Sequence, residues 1–507
     1  MTALDLATTV RSLVLPNTYR DSVELMRIAA ELEALPGVRR AALVMGTAAN
    51  RDVLRAASLL DDDTEGAGPN DLVVAVAGDP EAAEAAAARA RSLLAGQSAG
   101  RATAPGETRV PPRSLSQAVA ELPGANLAMI STPGAYATAE AIKALKRGMD
   151  VFVFSDNVSI GDEIELKALA GRSGRLLMGP DCGTAILDGV PLGFANAVRP
   201  GPIGLAGASG TGLQEVACLV DRQGEGISHA IGVGGRDLDE RVGGTMMLAA
   251  LARLAADAGT RVIVLISKPP APAVARRVLE AARGCGKPVV VNFLGEQDGQ
   301  AEPDGVTRVP TLEAAAQAAV ALARGEPPHT TATLDGELIA AAASESLKLN
   351  THQRRIVGLY SGGTLCKEAA LVLHELLPRG DYRLIDLGDD EFTVGRPHPM
   401  IDARLRSERI LEVGRDPSAA VLLLDIVLGY GSHADPAGAL TGAIAGARGA
   451  AAQDGRHLTV VASVCGTRAD PQGLTDQESK LAREDVLLAP SNAQAARLAA
   501  LIAGAER

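Results

Sequence analysis

The sequence predicts an α/β protein: a Rossmann-like domain followed by two copies of one α/β unit, all preceded by a small α+β domain of ferredoxin-like pattern. Three observations predict it. The 507 residues are 47% hydrophobic but only 2% aromatic, with no Trp, so the cores must be built from Val, Leu, Ile and Ala, as in parallel sheets covered by helices. Short apolar runs alternate with helical apolar spacing along most of the chain. One pattern also occurs twice. Gly201–Leu219 (GPIGLAGASGTGLQEVACL) reads as a buried strand, a glycine-rich turn over 207–212 and a helix from Leu213; Arg355–Val372 (RIVGLYSGGTLCKEAALV) repeats the strand, turn and helix. The likeness continues downstream, where 262–273 matches 421–437 and 287–295 matches 457–466, as expected of a divergent duplication.

The elements follow in order. Residues 1–105 hold strands at Val10–Leu15, Val38–Met45 and Asp71–Val76, with helices at Ser22–Leu35 and Pro80–Leu94. Asp61–Asn70 is acidic and glycine-rich and reads as a loop. Gly96–Pro112 reads as a linker. The Rossmann-like domain, 113–197, alternates helices at Ser114–Leu122, Ala137–Arg147 and Ile160–Ser173 with strands at Leu127–Ser131, Asp150–Phe154 and Arg175–Met178. The first copy spans 198–325 and the second 350–507; the connector Gly325–Ser344 holds some helix near Leu338.

Composition narrows the function classes. A net charge of −12 argues against a nucleic-acid partner or an anionic membrane surface. The five cysteines are scattered without a C-x-x-C pair, which points to reduced thiols and a cytoplasmic protein. The N-terminus lacks the basic and apolar regions of a signal peptide. No apolar run reaches about 18 residues, so no membrane span is expected. The seven histidines are dispersed, and no metal site is predicted.

The candidate sites lie where strands end. Glycine turns at helix N-termini present unpaired N–H groups and the positive end of the helix dipole. Ser209, Gly210, Thr211 and Gly212 in the first copy, and Ser361, Gly362, Gly363 and Thr364 in the second, are therefore candidate anion-binding residues. If the copies pack as a pseudo-symmetric pair, both turns face one ligand. In the Rossmann-like domain, Thr132, Pro133, Gly134, Asn157, Asp181 and Cys182 converge at the carboxyl edge, where open α/β sheets bind ligands. The G-x-G-x-x-G fingerprint is missing there, which disfavours NAD. His398 and His433 are candidate acid–base groups, with structural roles in their loops as the alternative. Arg396 and Arg404 are candidate carboxylate binders. Asp425, inside an apolar strand, is either a ligand contact or a hydrogen-bonded core acid.

These motifs resemble a known superfamily. Residues 125–325 resemble the α subunit of succinyl-CoA synthetase, through Gly-Pro-Asp-Cys at 179–182, Ala-Ser-Gly-Thr-Gly at 208–212 and Gly-Val-Gly-Gly-Arg-Asp at 232–237. Residues 354–505 resemble the C-terminal domain of that enzyme's β subunit. The single-chain arrangement resembles the FdrA family of acyl-CoA-synthetase-like proteins. The resemblance implies a CoA-binding-type Rossmann domain and two flavodoxin-like domains. It makes CoA a candidate cofactor and phosphate or carbamoyl phosphate a candidate substrate, and it implies partner subunits. It further implies an oxamate carbamoyltransferase-type activity in allantoin breakdown, with CoA ligation alongside partners or a non-catalytic assembly role as alternatives. Two departures stand out. Phe293–Gly305, where that enzyme carries its phosphohistidine, contains no histidine, and Lys268 stands where it carries a carboxylate. An ATP-grasp domain also has no counterpart. Lys268 thus joins His398 and His433 as a candidate catalytic residue.

Overall fold

The structure is a computed structural model that describes residues 9–18, 20, 22–96, 112–295, 305–328, 334–393 and 397–504. The chain divides into two compact units, 1–123 with 390–402, and 124–389 with 403–507.

The first unit contains β1 (Thr9–Leu15), α1 (Ser22–Glu33), β2 (Val38–Met45), α2 (Ala48–Ala56), α3 (Asp62–Glu65), β3 (Leu72–Gly78), α4 (Pro80–Gly96) and α5 (Leu115–Glu121). Its strands form an antiparallel sheet in the order β1-β3-β2. One face packs Leu25, Ile28 and Leu32 of α1 and Ala83, Ala86 and Ala90 of α4 over Leu72, Val74 and Val76. The stretch read as an acidic loop starts instead with a helical turn. Asp61 Oδ1 accepts from Thr64 N at 3.0 Å and Thr64 Oγ1 accepts from Asp61 N at 2.9 Å, a capping box that satisfies two otherwise orphaned donors.

The second unit opens with β4 (Leu127–Ile130), α6 (Gly134–Leu145), β5 (Asp150–Val153), α7 (Ile160–Arg172) and β6 (Leu177–Met178), whose strands make a parallel three-stranded sheet. A hairpin absent from the sequence reading follows, β7 (Thr184–Leu187) and β8 (Val190–Gly193). Its two-residue turn, Asp188-Gly189, has φ of 48° and 76°, as a primed hairpin turn requires.

The first copy contains β9 (Pro200–Gly207), α8 (Gly210–Arg222), β10 (Ile227–Gly232), α9 (Thr245–Ala256), β11 (Val262–Ser267), α10 (Pro272–Arg283), β12 (Val289–Phe293), β13 (Val306–Arg308) and α11 (Leu312–Arg324). After the connector helix α12 (Gly336–Lys348), the second contains β14 (Arg355–Tyr360), α13 (Gly363–Leu376), β15 (Tyr382–Asp386), α15 (Arg404–Arg415), β16 (Ala419–Val427), α16 (Gly438–Gln453), β17 (Thr459–Cys465), α17 (Leu474–Arg483), β18 (Leu487–Ala489) and α18 (Asn492–Gly504). The short α14 (Asp390–Thr393) belongs to the first unit.

The strand orders reveal the duplication. The first copy reads β10-β9-β11-β12-β13 and the second β15-β14-β16-β17-β18, both parallel, with the β7–β8 hairpin added at the β10 edge. This is the doubly wound, flavodoxin-like order, with its switch point at the first strand of each copy.

Two glutamates weld the copies reciprocally. Glu215 and Glu368 occupy the same position in α8 and α13, and both side chains are almost fully buried. Glu368 Oε1 accepts from Leu312 N at 2.6 Å, at the start of the first copy's closing helix α11. Glu215 Oε1 accepts from Asn492 N at 3.1 Å, at the start of the second copy's closing helix α18. Each carboxylate thus satisfies an orphan donor at the positive end of the other copy's helix.

Candidate functional site

The two glycine turns meet. Ser209 caps α8, its Oγ accepting from Gly212 N at 2.9 Å, and the same hydroxyl donates to Thr364 Oγ1 of the second copy at 2.6 Å. A Cβ on Gly362 would stand 2.9 Å from Thr211 Cγ2, so only glycine allows the backbone this close. Helix α8 begins at Gly210 rather than Leu213, which places Thr211 and Gly212 in its first turn. Thr211 is 8% exposed, and among the described residues no hydrogen bond engages its hydroxyl.

The copies differ beneath their turns. Leu265 pairs with Ala206 and Leu424 with Leu359, each pairing lying at the same offset before its helix, so Ile266 and Asp425 are equivalent. In the second copy the Asp425 carboxylate accepts from Ser361 N and Gly362 N, both at 2.8 Å, and from Ser361 Oγ at 3.1 Å. Arg406 Nη2, equally buried, donates to Asp425 Oδ1 at 2.7 Å and to Leu359 O. Of the two readings of Asp425, the hydrogen-bonded core acid holds. The first copy has an aliphatic side chain there, and Ala208 N bonds the Ile266 carbonyl at 3.0 Å.

Lys268 follows β11 and is exposed. Its Nζ lies 3.6 Å from where a Cβ on Gly363 would stand, a place already filled by Asp386 Oδ2 from the carboxyl end of β15. Burial pushes the Asp386 carboxyl up, against the lowering influence of Gly388 N–H and Lys268. Asp386 was not picked out from the sequence.

The other candidates divide. At the edge of the three-stranded sheet, the Gly134 backbone presses on the Asp156 carbonyl and Asn157, Ser155 Oγ donates to Thr132 O, and Asp181 N donates to Ser155 O at 3.0 Å. Pro133 is the N-cap of α6 and supplies no side-chain cap. Thr132, Pro133, Gly134, Asn157 and Asp181 therefore gather at one edge, Asn157 and Asp181 in left-handed conformation at φ 54°. Cys182 is buried, and burial pushes its thiol up to about 12, which leaves it protonated and inert. Asp237 of the glycine-rich 232–237 segment is a buried weld: it accepts from Lys167 Nζ at 2.9 Å and from Met247 N.

His433 Nδ1 accepts from Asp435 N at 2.9 Å and its carbonyl accepts from Gln472, a turn-bracing role. His398 lies in the first unit, whereas Lys268 and His433 lie in the second. Burial pushes the His398 imidazole down to about 4, and its Nδ1 accepts from Met400 N at 3.2 Å. Arg396 lies outside the described residues. Arg404, at the first position of α15, is exposed; the buried guanidinium of this region belongs to Arg406.

Against this geometry, comparison with known proteins decides the family. The chain is 41% identical to the uncharacterized protein YahF of Escherichia coli K12 over 511 aligned positions, covering 97% of this chain and 98% of that one. The chain belongs to the YahF family. Residues 359–502 match the CoA-ligase family, 198–295 the CoA binding domain, and 8–111 the AllF heavy metal-associated domain. This YahF relative is therefore acyl-CoA synthetase-like. Its CoA-binding match falls on the first copy, whereas Thr132–Cys182 precede it. It is 32% identical to the mitochondrial succinate–CoA ligase [ADP-forming] subunit alpha-2 of Trichomonas vaginalis over 28% of this chain, spanning about half (47%) of that relative's length. A dinucleotide-forming acetyl-coenzyme A synthetase 1 from Ca. Korarchaeum cryptofilum, solved with phosphate and ADP, aligns over 75% of this chain and 82% of its own at 17% identity and a TM-score of 0.29, too loose a match to add to the fold described above.

The name of the N-terminal match implies a soft metal. Such ions require thiolate or imidazole ligands, and residues 8–111 contain neither cysteine nor histidine. Among the described residues no group of three His, Cys, Asp or Glu side chains could hold a metal. The residues do not fit a heavy metal. Among the described residues no helix is long and apolar enough to cross a membrane.

Proposed function

We propose that this acyl-CoA synthetase-like chain is a transferase acting on an acyl phosphate of the carbamoyl phosphate type, working with partner subunits. The phosphoryl end sits at the start of α8, held by the Gly210 and Thr211 N–H groups, the Thr211 hydroxyl and Lys268. These groups stabilise charge as it develops on the leaving phosphate. The acceptor's amine or amide nitrogen attacks the carbonyl carbon, the C–O bond to phosphate breaks, and the nitrogen loses its proton. No covalent relay through the protein is needed, in keeping with the lack of histidine in Phe293–Gly305. The carrying observation is the Ser209–Thr364 hydrogen bond, which joins the two turns beside an unpartnered, buried Thr211. Because Asp425 occupies the Ser361 and Gly362 donors, the anion is assigned to the first copy's turn rather than shared equally.

The matches to the CoA binding domain and to the CoA-ligase family favour a second reading, CoA-dependent acyl transfer completed by partner subunits. Isothermal titration of the full chain with phosphate, carbamoyl phosphate and CoA separates the two. The first reading expects phosphate and carbamoyl phosphate to bind and Thr211→Glu to abolish binding, because the new carboxylate occupies the anion's place. CoA binding alone, or equal phosphate binding by wild type and variant, would sink it.

A further inference from the structure

One carboxylate, Asp386, lies at the meeting of the turns, against the first residue of α13. Asp386 Oδ2 fills the space beside Gly363, within reach of the point that Lys268 Nζ approaches to 3.6 Å. Its Oδ1 accepts from Gly388 N at 3.0 Å. The two charges come from different copies, Lys268 from the carboxyl end of β11 and Asp386 from that of β15. A lone anion is attracted by the ammonium and repelled by the carboxylate. A ligand carrying an N–H group next to its anionic oxygens satisfies both, because a carboxylate is an acceptor only.

We propose that Asp386 is a specificity-determining residue, accepting a hydrogen bond from a ligand N–H while Lys268 meets the ligand's anionic oxygen. The inference rests on the phosphoryl site assigned above. It names the ligand class as an acyl phosphate with an amide nitrogen on its carbonyl, and it disfavours one with a methyl group there. Asp386 is partly buried, and an acceptor shielded in this way and left without its donor disfavours the isostere that lacks the N–H.

The test uses the full chain and three probes: carbamoyl phosphate, acetyl phosphate and inorganic phosphate. Wild type is expected to bind carbamoyl phosphate at least about tenfold more tightly than acetyl phosphate. Asp386→Ala should bring that ratio close to one and tighten inorganic phosphate. Asp386→Asn, nearly isosteric, tests the same point if the alanine variant does not fold: it should also tighten phosphate. Lys268→Gln should weaken all three probes together. A wild-type ratio near one, or a ratio and phosphate affinity unchanged on replacing Asp386, overturns the inference while leaving the phosphoryl site standing. Failure of all three probes to bind wild type overturns both.

Discussion

Replacing Asp425 by alanine is the most severe single change the second copy's turn offers. Asp425 and Arg406 are 0% and 3% exposed. Removing one partner of a buried ion pair costs about 3–5 kcal/mol, because the other charge stays buried. The Ser361 and Gly362 N–H groups lose their 2.8 Å acceptor as well, and an unsatisfied buried donor costs about 1–3 kcal/mol. Taking about 5 kcal/mol together, and an unfolding entropy of about 2.1 cal/mol/K per residue, the second unit (124–389 with 403–507) should melt about 6 °C lower. The ion-pair share is isolated by Asp425→Leu with Arg406→Met, which leaves no charge stranded. That double variant should be more stable than the sum of its single changes by at least about 2 kcal/mol. Urea and thermal unfolding followed by circular dichroism provide the measurement. Strict additivity, or an Asp425→Ala variant within about 1 kcal/mol of wild type, would refute the reasoning.

Two further predictions concern the contact between the copies. Burial pushes Glu368 up to about 7 from an ordinary 4.5. The folded state therefore holds the extra proton between those values, and stability contributed by this group falls as pH rises from about 4.5 through about 7, by at most about 3 kcal/mol. Glu368→Gln should flatten the difference in melting temperature between pH 5 and pH 8; an unchanged slope would locate the titration elsewhere. Gly362→Ala would drive a methyl group against Thr211, at 2.9 Å from its Cγ2, separating the turns. Overpacking of this kind costs about 1–3 kcal/mol, and the variant should lose phosphate affinity in the same titration that wild type passes.

The fold was legible where periodicity is strong. Val38–Met45 coincides end to end with its strand, and the repeated strand–turn–helix pattern led directly to two sheets of one topology. The β7–β8 hairpin escaped because its strands are four residues each, although Asp188-Gly189 was the available signal. Helix α3 escaped because its capping box lies inside an acidic, glycine-rich stretch that otherwise reads as a loop. In the site, the two turns could be located because they follow strands, whereas Lys268 was singled out only through the family resemblance. Asp386 was not, because its strand β15 had not been recognised. Arg406 was passed over for Arg404, since only the helical phase of α15 tells which of the two faces inward. Glu215 and Glu368 did carry a signal: the same residue type at the same offset from both glycine turns.

The duplication also explains why one turn rather than both is assigned to the ligand. Two helix beginnings aimed at the same point would repel each other, since their positive ends would face across a short gap. In the second copy an internal carboxylate settles that conflict, Asp425 taking the donors of Ser361 and Gly362 with Arg406 behind it. With Asp386 also against Gly363, the start of α13 is compensated from within the protein. The equivalent of Asp425 in the first copy is Ile266, which cannot accept a hydrogen bond through its side chain. The start of α8 thus has no carboxylate beneath it; it carries the Ser209 cap on Gly212 N and an unpartnered Thr211 hydroxyl. Giving the first copy the second copy's residue makes this testable: Ile266→Asp should place a carboxylate under the first turn and eliminate phosphate binding, even though position 266 touches no ligand in the proposed arrangement. Phosphate affinity surviving that change would mean the anion is not held by α8.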